Sequence, residues 1–187
     1  MFYSIAISYS VKRNFKRCGN DFFIDAPFTI VGYKYIEIGN GSHFQSNIRL
    51  DAIDQYRGSK YNPKIKIGNN VTINNYCHIG SIGEIIIEDN VLIASKVFIT
   101  DHFHGDTSKD IIDTPPIKRE LFMKGNVHIK QNVWIGENVA IMPNVTIGEN
   151  CIIGANSVVT KNIPENCVVG GNPAKILRYL GAVAVVS

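Results

Sequence analysis

The segment Thr100-Asp101-His102-Phe103-His104-Gly105-Asp106 gathers two imidazoles and two carboxylates within seven residues. Imidazole is the side chain best suited to taking up a proton near neutral pH, because its ordinary pKa of ~6.5 leaves much of it uncharged there. A proline pair and two cations follow at Pro115-Pro116-Ile117-Lys118-Arg119. Between Thr100 and Asn126 no periodicity runs through the chain, and extended segments of that kind inside a compact domain are uncommon and frequently functional. Ordinary solvent-facing residues, with prolines and a glycine supplying turns, would give the same local pattern. Local sequence leaves both readings open.

What must position these groups is legible on either side of the gap. Branched aliphatic residues recur every six positions at Ile67, Ile73 and Ile79, at Ile87, Ile93 and Ile99, and at Ile129, Ile135, Ile141, Ile147, Ile153 and Val159. A strand repeats every two residues and an amphipathic helix every 3.6 or so, and neither sustains a beat of six. A parallel β-helix does, with three hexads to a triangular coil and like residues stacked into an internal ladder. Val71, Cys77, Val91, Val97, Val133, Val139, Val145, Cys151 and Ser157 form a second, smaller column four places after each beat. Glycine (Gly68, Gly80, Gly136, Gly148, Gly154) and asparagine (Asn69, Asn70, Asn90, Asn132, Asn138, Asn150, Asn156) cluster beside the beat, and both tolerate the positive φ of sharp corners. The phase slips by two residues between Ser81 and Ile85, and an earlier, looser repeat runs through Ile38, Phe44, Ile48 and Leu50.

At 187 residues and 45% hydrophobic content the chain suffices for one domain with a full core. A net charge of only +3, with signs interspersed, argues against nucleic acid or an anionic membrane as partner. Four cysteines without C-x-x-C spacing, two of them in the small column, are expected to be buried free thiols in a reducing compartment. No charged leader precedes an apolar stretch and the short tail Gly181 to Ser187 is far too brief to span a bilayer, so neither a signal peptide nor a spanning helix is expected, and the expected location is cytoplasmic.

The repeat, the Ile99-Thr100-Asp101-His102-Phe103-His104-Gly105 loop opening, the Asn132-Val133-Trp134-Ile135-Gly136 rung and the ending Gly154 to Pro164 with Gly170-Gly171-Asn172-Pro173-Ala174-Lys175 together resemble the hexapeptide-repeat acetyltransferases. The similarity is strongest to the branch acetylating galactosides, maltose, and O-antigen or capsule sugars, and covers about Ile36 to Leu180. It implies an all-β fold: a left-handed parallel β-helix with one protruding loop and a short C-terminal helix. The expected layout is an N-terminal segment and opening coil over 1–35, the β-helix over 36–172 with its loop at 101–126, and the helix and tail over 173–187. The resemblance also implies a homotrimer with active sites between subunits, and an acetyl-CoA-dependent O-acetyltransferase that needs no metal.

By the same resemblance His102 is the catalytic base, taking the proton of a sugar hydroxyl while its oxygen attacks the thioester. Such help is typically worth ~10²–10⁴ in rate. Asn74 matches an asparagine that holds the acceptor or polarises the reacting centre, Asp101 and His104 would orient His102 or meet the acceptor, and Arg119 would approach the sugar. Trp134 would lie near both the acceptor and the thiol arm. Ala155 and Thr160 match positions along the pantetheine, while Lys161, Lys175 and Arg178 match basic positions near the coenzyme phosphates, where charge-assisted hydrogen bonds are strong. Against these roles stand plain ones: Asn74 as a corner residue, Arg119 as a solvated loop cation, Trp134 as edge packing, and the last basic residues as the surface of a helix begun by Pro173.

Residues 1–35 show no amphipathic helical pattern to replace the helical segment that supplies an acidic acceptor ligand in the galactoside and maltose enzymes. That favours the surface-polysaccharide branch. Two rivals of other kinds remain: N-acetylation of an amino sugar nucleotide, and a non-catalytic β-helix scaffold. A zinc enzyme of the γ-type carbonic anhydrase kind is disfavoured, because His43, His78, His102, His104 and His128 lack its ligand spacing.

Overall fold

The computed structural model describes residues 2–109 and 111–181. Its body is a prism of three parallel sheets through which the chain winds in six coils. The first face stacks Arg17–Cys18, Ile36–Ile38, Lys64–Ile67, Glu84–Ile87, Val127–Ile129 and Thr146–Ile147. The second stacks Phe23–Ile24, His43–Phe44, Thr72–Ile73, Leu92–Ile93, Trp134–Ile135 and Ile152–Ile153, continued by Cys167–Gly170 and Lys175–Tyr179. The third stacks Phe28–Val31, Ile48–Ala52, His78–Ser81, Phe98–Thr100, Ala140–Ile141 and Val158–Val159.

The six-residue beat is the inner wall of this prism. On the third face Leu50, Ile79, Ile99, Ile141 and Val159 lie in register and are fully buried. The smaller column is buried throughout, from Val71 to Ser157. Cys77, Cys151 and Cys167 are buried free thiols, and burial pushes the Cys77 thiol up to about 11.

Asparagine does at the corners what its chemistry allows. Asn70, Asn90, Asn132, Asn138, Asn150 and Asn156 have φ between 53° and 60°, a region where a short polar side chain is tolerated. Their amides also stack between coils, with Asn70 Nδ2 donating to Asn90 Oδ1 at 3.2 Å, Asn132 to Asn150 at 3.1 Å and Asn150 to Asn166 at 2.9 Å. The glycines after the beat serve a different purpose. Gly136 has an ordinary φ, but a Cβ there would come within 2.7 Å of the Ala155 amide nitrogen on the next coil.

Three features depart from expectation. A helix does form at the N-terminus, Phe2–Lys12, and covers the open end of the prism. Ile7 and Val11 pack on the core, and Ser8 Oγ accepts the Ile24 amide at 2.9 Å. Its apolar residues alternate with serine rather than following a helical period, so tertiary packing and not local pattern makes it helical; it carries no acidic residue. At the other end, Pro173 to Arg178 is not a helix. Lys175–Tyr179 runs antiparallel to Cys167–Gly170, because six residues gain more from the free edge of a sheet than from an isolated helical turn. The tail residues 182–187 lie outside the described residues.

The third departure concerns excursions, of which there are two rather than one. Gln55–Tyr56 and Ser59–Lys60 form a small hairpin, and the loop after Thr100 begins and ends as an antiparallel pair, His102–His104 with Leu121–Met123. The excursions clasp each other: Tyr61 Oη lies 3.1 Å from both the Leu121 carbonyl and its amide, and Ser59 Oγ donates to Glu120 Oε1 at 2.7 Å. Both leave from the corner between the third and first faces. The two-residue slip at Ser81 to Ile85 occupies that same corner on the coil between them.

Candidate active site

At that corner, the slip gives Asp101 its setting. The extra residues turn the backbone so that the Ile82 and Gly83 amides donate to Asp101 at 3.0 and 2.9 Å, and Ser81 Oγ donates at 2.6 Å. The fourth bond comes from its neighbour, with His102 Nδ1 at 2.9 Å from Asp101 Oδ1. Asp101 is fully buried. Burial alone would raise its pKa, but the hydrogen bonds from His102, Ser81 and the two amides outweigh burial and hold the carboxyl below the usual range. A carboxyl depressed in the folded state stabilises the fold above its unfolded pKa of ~3.9, and that contribution disappears as pH falls through the lower folded value.

An ionised carboxylate facing Nδ1 places the imidazole proton on that nitrogen. Thr100 Oγ1, 3.2 Å from Nδ1, closes the same side of the ring. Nε2 is left with no protein partner among the described residues. His102 lines a cavity of about 470 Å³ on the outer side of the third face, together with His104, Phe103 and Phe98. The Tyr56 ring meets His104 edge-on at 5.6 Å and forms the cavity's far wall. The arrangement suits acceptance of a proton from a group in the cavity: an imidazole oriented through Nδ1 by a buried carboxylate, with Nε2 toward the open side.

Of the residues singled out in the sequence, the structure brings Asp101, His102 and His104 together. It places the others elsewhere on the single chain. Asn74 lies at the corner where the chain passes from Thr72–Ile73 to His78–Ser81, with its amide bonded to the Ile93 carbonyl at 2.9 Å. Arg119 braces the loop from within, donating to the carbonyls of Thr114 at 2.7 Å and Ile111 at 3.1 Å. Trp134 is half exposed on the outer side of the second face, in register between Leu92 and Ile152. Ala155, Thr160, Lys161, Lys175 and Arg178 are exposed on the last coils and the final strand. Lys161, Lys175 and Arg178 thus place three cations on an open surface, the last two on the strand that stands where a helix was expected.

Sequence reasoning missed Ser81, Asp51, His78 and Gly80. The first left a trace, since the phase slip marks the turn that cradles Asp101. The others come into the cavity only through inter-coil register.

The family described as bacterial transferase hexapeptide (six repeats) matches residues 126–161. WbbJ of Escherichia coli (strain K12), assigned as a lipopolysaccharide biosynthesis O-acetyl transferase, is 44% identical over 146 residues, which cover 75% of this chain and 71% of WbbJ. This chain belongs to the hexapeptide-repeat acetyltransferases. Among solved structures, a hexapeptide-repeat acetyltransferase of Vibrio cholerae O1 biovar eltor complexed with acetyl-coenzyme A is similar at 26% identity and a TM-score of 0.63, covering 94% of this chain and 78% of that one. A mutant of AntD, an N-acyltransferase from Bacillus cereus in complex with dTDP-4-amino-4,6-dideoxyglucose and coenzyme A, superposes with a TM-score of 0.77 at 25% identity, covering 92% of this chain and 88% of that one. The prism is thus the left-handed parallel β-helix of the hexapeptide-repeat acetyltransferases, as the resemblance implied. No helix among the described residues is long and apolar enough to cross a membrane.

Proposed function

We propose that this protein transfers the acetyl group of acetyl-CoA to a hydroxyl of a sugar destined for a surface polysaccharide, O-antigen or capsule, with His102 as general base and no covalent acyl-enzyme. The observation that carries the reading is the Asp101–His102 pair, buried on the carboxylate side and open to the cavity on the other. The similarity to WbbJ supports the substrate class. Acetyl-CoA supplies an acyl thioester. His102 Nε2 takes the hydroxyl proton as the oxygen attacks the thioester carbonyl, the C–S bond then breaks, and the imidazolium returns the proton to the departing coenzyme A thiolate; Asp101, held by Ser81 and the Ile82 and Gly83 amides, stabilises the imidazolium and orients the ring through Nδ1.

The working unit in this reading is a cytoplasmic homotrimer, and four free cysteines fit a reducing compartment. Leu92 and Trp134 form an exposed apolar pair on the second face, and Phe98 is exposed on the third. Packing the second face of one copy beside the third face of the next covers this surface and carries Trp134 and Asn74 toward a neighbour's His102. Ala155, Thr160, Lys161, Lys175 and Arg178 then track the coenzyme arm along the coil edge, and Arg119 shapes the loop over the acceptor.

A second reading, N-acetylation of an amino sugar nucleotide, draws on the similarity to AntD, which was crystallised with such a sugar. The two separate in one experiment: thiol release from acetyl-CoA against paired hydroxyl and amino acceptors, with the acetylated atom located by NMR. Product on oxygen supports the proposal. Product exclusively on nitrogen replaces it with the second reading, and release with no acceptor overturns both.

Asp101→Asn tests the pair directly. The neutral amide carries no charge to stabilise the imidazolium, and its NH2 must face groups that donate to the carboxylate, so kcat is expected to fall by ~10²-fold or more with the acetyl-CoA KM little changed. Steady-state kinetics on a variant shown to be folded by circular dichroism checks this.

A further inference from the structure

The cavity that holds His102 contains a second carboxylate that the proposed chemistry leaves unused. Asp51 stands in one outward column with Gly80 and Thr100, on the coil before Gly80. It is only 2% exposed. Its Oδ2 accepts from Arg49 Nε at 2.6 Å and from His78 Nε2 at 3.1 Å, whereas Oδ1 has no hydrogen-bond partner among the described residues. Burial raises the pKa of this carboxyl, yet the bonds and charges of His78 and Arg49 more than offset it, so Asp51 stays ionised at neutral pH. A buried anionic oxygen without a donor is costly and demands an occupant.

The surroundings say what that occupant is. Asp51, Arg49 and His78 line the same cavity as His102, and Phe98, Phe103 and Tyr56 complete its wall. A few fixed polar groups set among aromatic surface describe a pocket for a molecule with both apolar C–H faces and hydroxyl donors. Gly80 keeps the floor bare between the two imidazoles: a Cβ there would lie 3.5 Å from both His78 Nε2 and His102 Cε1. Oδ1 is shielded from solvent, and the broad two-fold torsion of an aspartate lets a small turn of the carboxylate present it to a ligand.

We propose that Asp51 is an acceptor-recognition residue, accepting a hydrogen bond from a second hydroxyl of the carbohydrate whose first hydroxyl meets His102. Arg49 and His78 anchor Oδ2, so that a small turn of the carboxylate brings Oδ1 to the ligand, and the bare backbone at Gly80 leaves room for the ring between the two contacts. The inference rests on the function proposed above and names a residue pair that selects among sugars.

The test uses Asp51→Asn, with folding checked by circular dichroism, and acceptor analogues each lacking one hydroxyl. The acceptor KM is expected to rise roughly tenfold or more, as for loss of a charge-assisted hydrogen bond. The acetyl-CoA KM should stay at the wild-type value. One analogue that the wild type rejects should no longer be disfavoured by the variant, the signature of a coupled pair. A folded Asp51→Asn enzyme with wild-type acceptor KM and unchanged hydroxyl preference overturns the proposal. Should Asp51→Asn not fold, Gly80→Val fills the floor while leaving Asp51 in place, and wild-type acceptor KM in that variant overturns it equally. If the wild type turns over sugars but these variants behave normally, this inference falls alone. If it turns over none, the proposed function falls with it.

Discussion

Replacing His102 with alanine is expected to reduce acetyl transfer by ~10²–10⁴-fold while leaving the prism folded. The loss follows from geometry. Nε2 of His102, the base proposed above, has no protein partner among the described residues and its ring lines the cavity, whereas His104, the next imidazole along, is exposed and set against Tyr56 rather than bonded to a carboxylate. The fold should survive because His102 contributes nothing to the aliphatic ladder, and Asp101 keeps Ser81 and the Ile82 and Gly83 amides as donors. Thiol release with saturating acceptor, beside a thermal melt, measures both halves. Full activity in a folded His102→Ala protein refutes the assignment of the base. Lost activity with an unchanged melt is the expected result.

The largest structural effect is expected from Ile141→Asp. Ile141 is fully buried, stacked in register between Ile99 and Val159. Removing its side chain alone costs roughly 2–5 kcal/mol, and a carboxylate at that point would be buried between the aliphatic Ile99 and Val159. Against a total stability of about 5–15 kcal/mol for a domain of this kind, little remains. The stacked architecture compounds the loss, because each coil depends on its neighbours for burial. The variant is expected in the insoluble fraction or without strand signal in far-UV circular dichroism. A soluble, active Ile141→Asp protein would mean that the inward column had been misassigned.

The coil was legible because its cause is periodic. A side chain of one kind every six residues maps onto one direction in space, so Ile67, Ile99 and Ile141 could be placed inside the prism from spacing, and the small column followed. The asparagine corners were legible for a similar reason, since positive φ leaves a compositional mark. The ends were not. Phe2–Lys12 is helical because it seals the open end of the core, and Lys175–Tyr179 is a strand because a sheet edge lay vacant beside it. Both outcomes depend on where the neighbouring coil happens to stop.

The site divides in the same way. Asp101 and His102 adjoin in sequence, so the pair that fixes the tautomer was visible as a dipeptide. Its partners Ser81, Ile82 and Gly83 are 18 to 20 residues away, and only the stacking of one corner upon another brings them to the carboxylate. Asp51 and His78 meet across 27 residues by the same stacking. The sequence by itself determined the prism, its inward face and the imidazole beside its carboxylate, since each is written in local spacing. The register between coils, the clasp of the two excursions and the second carboxylate in the cavity of the first imidazole were decided only by tertiary structure. A parallel ladder joins residues one full coil apart, and the length of each coil is set by every turn and loop between them.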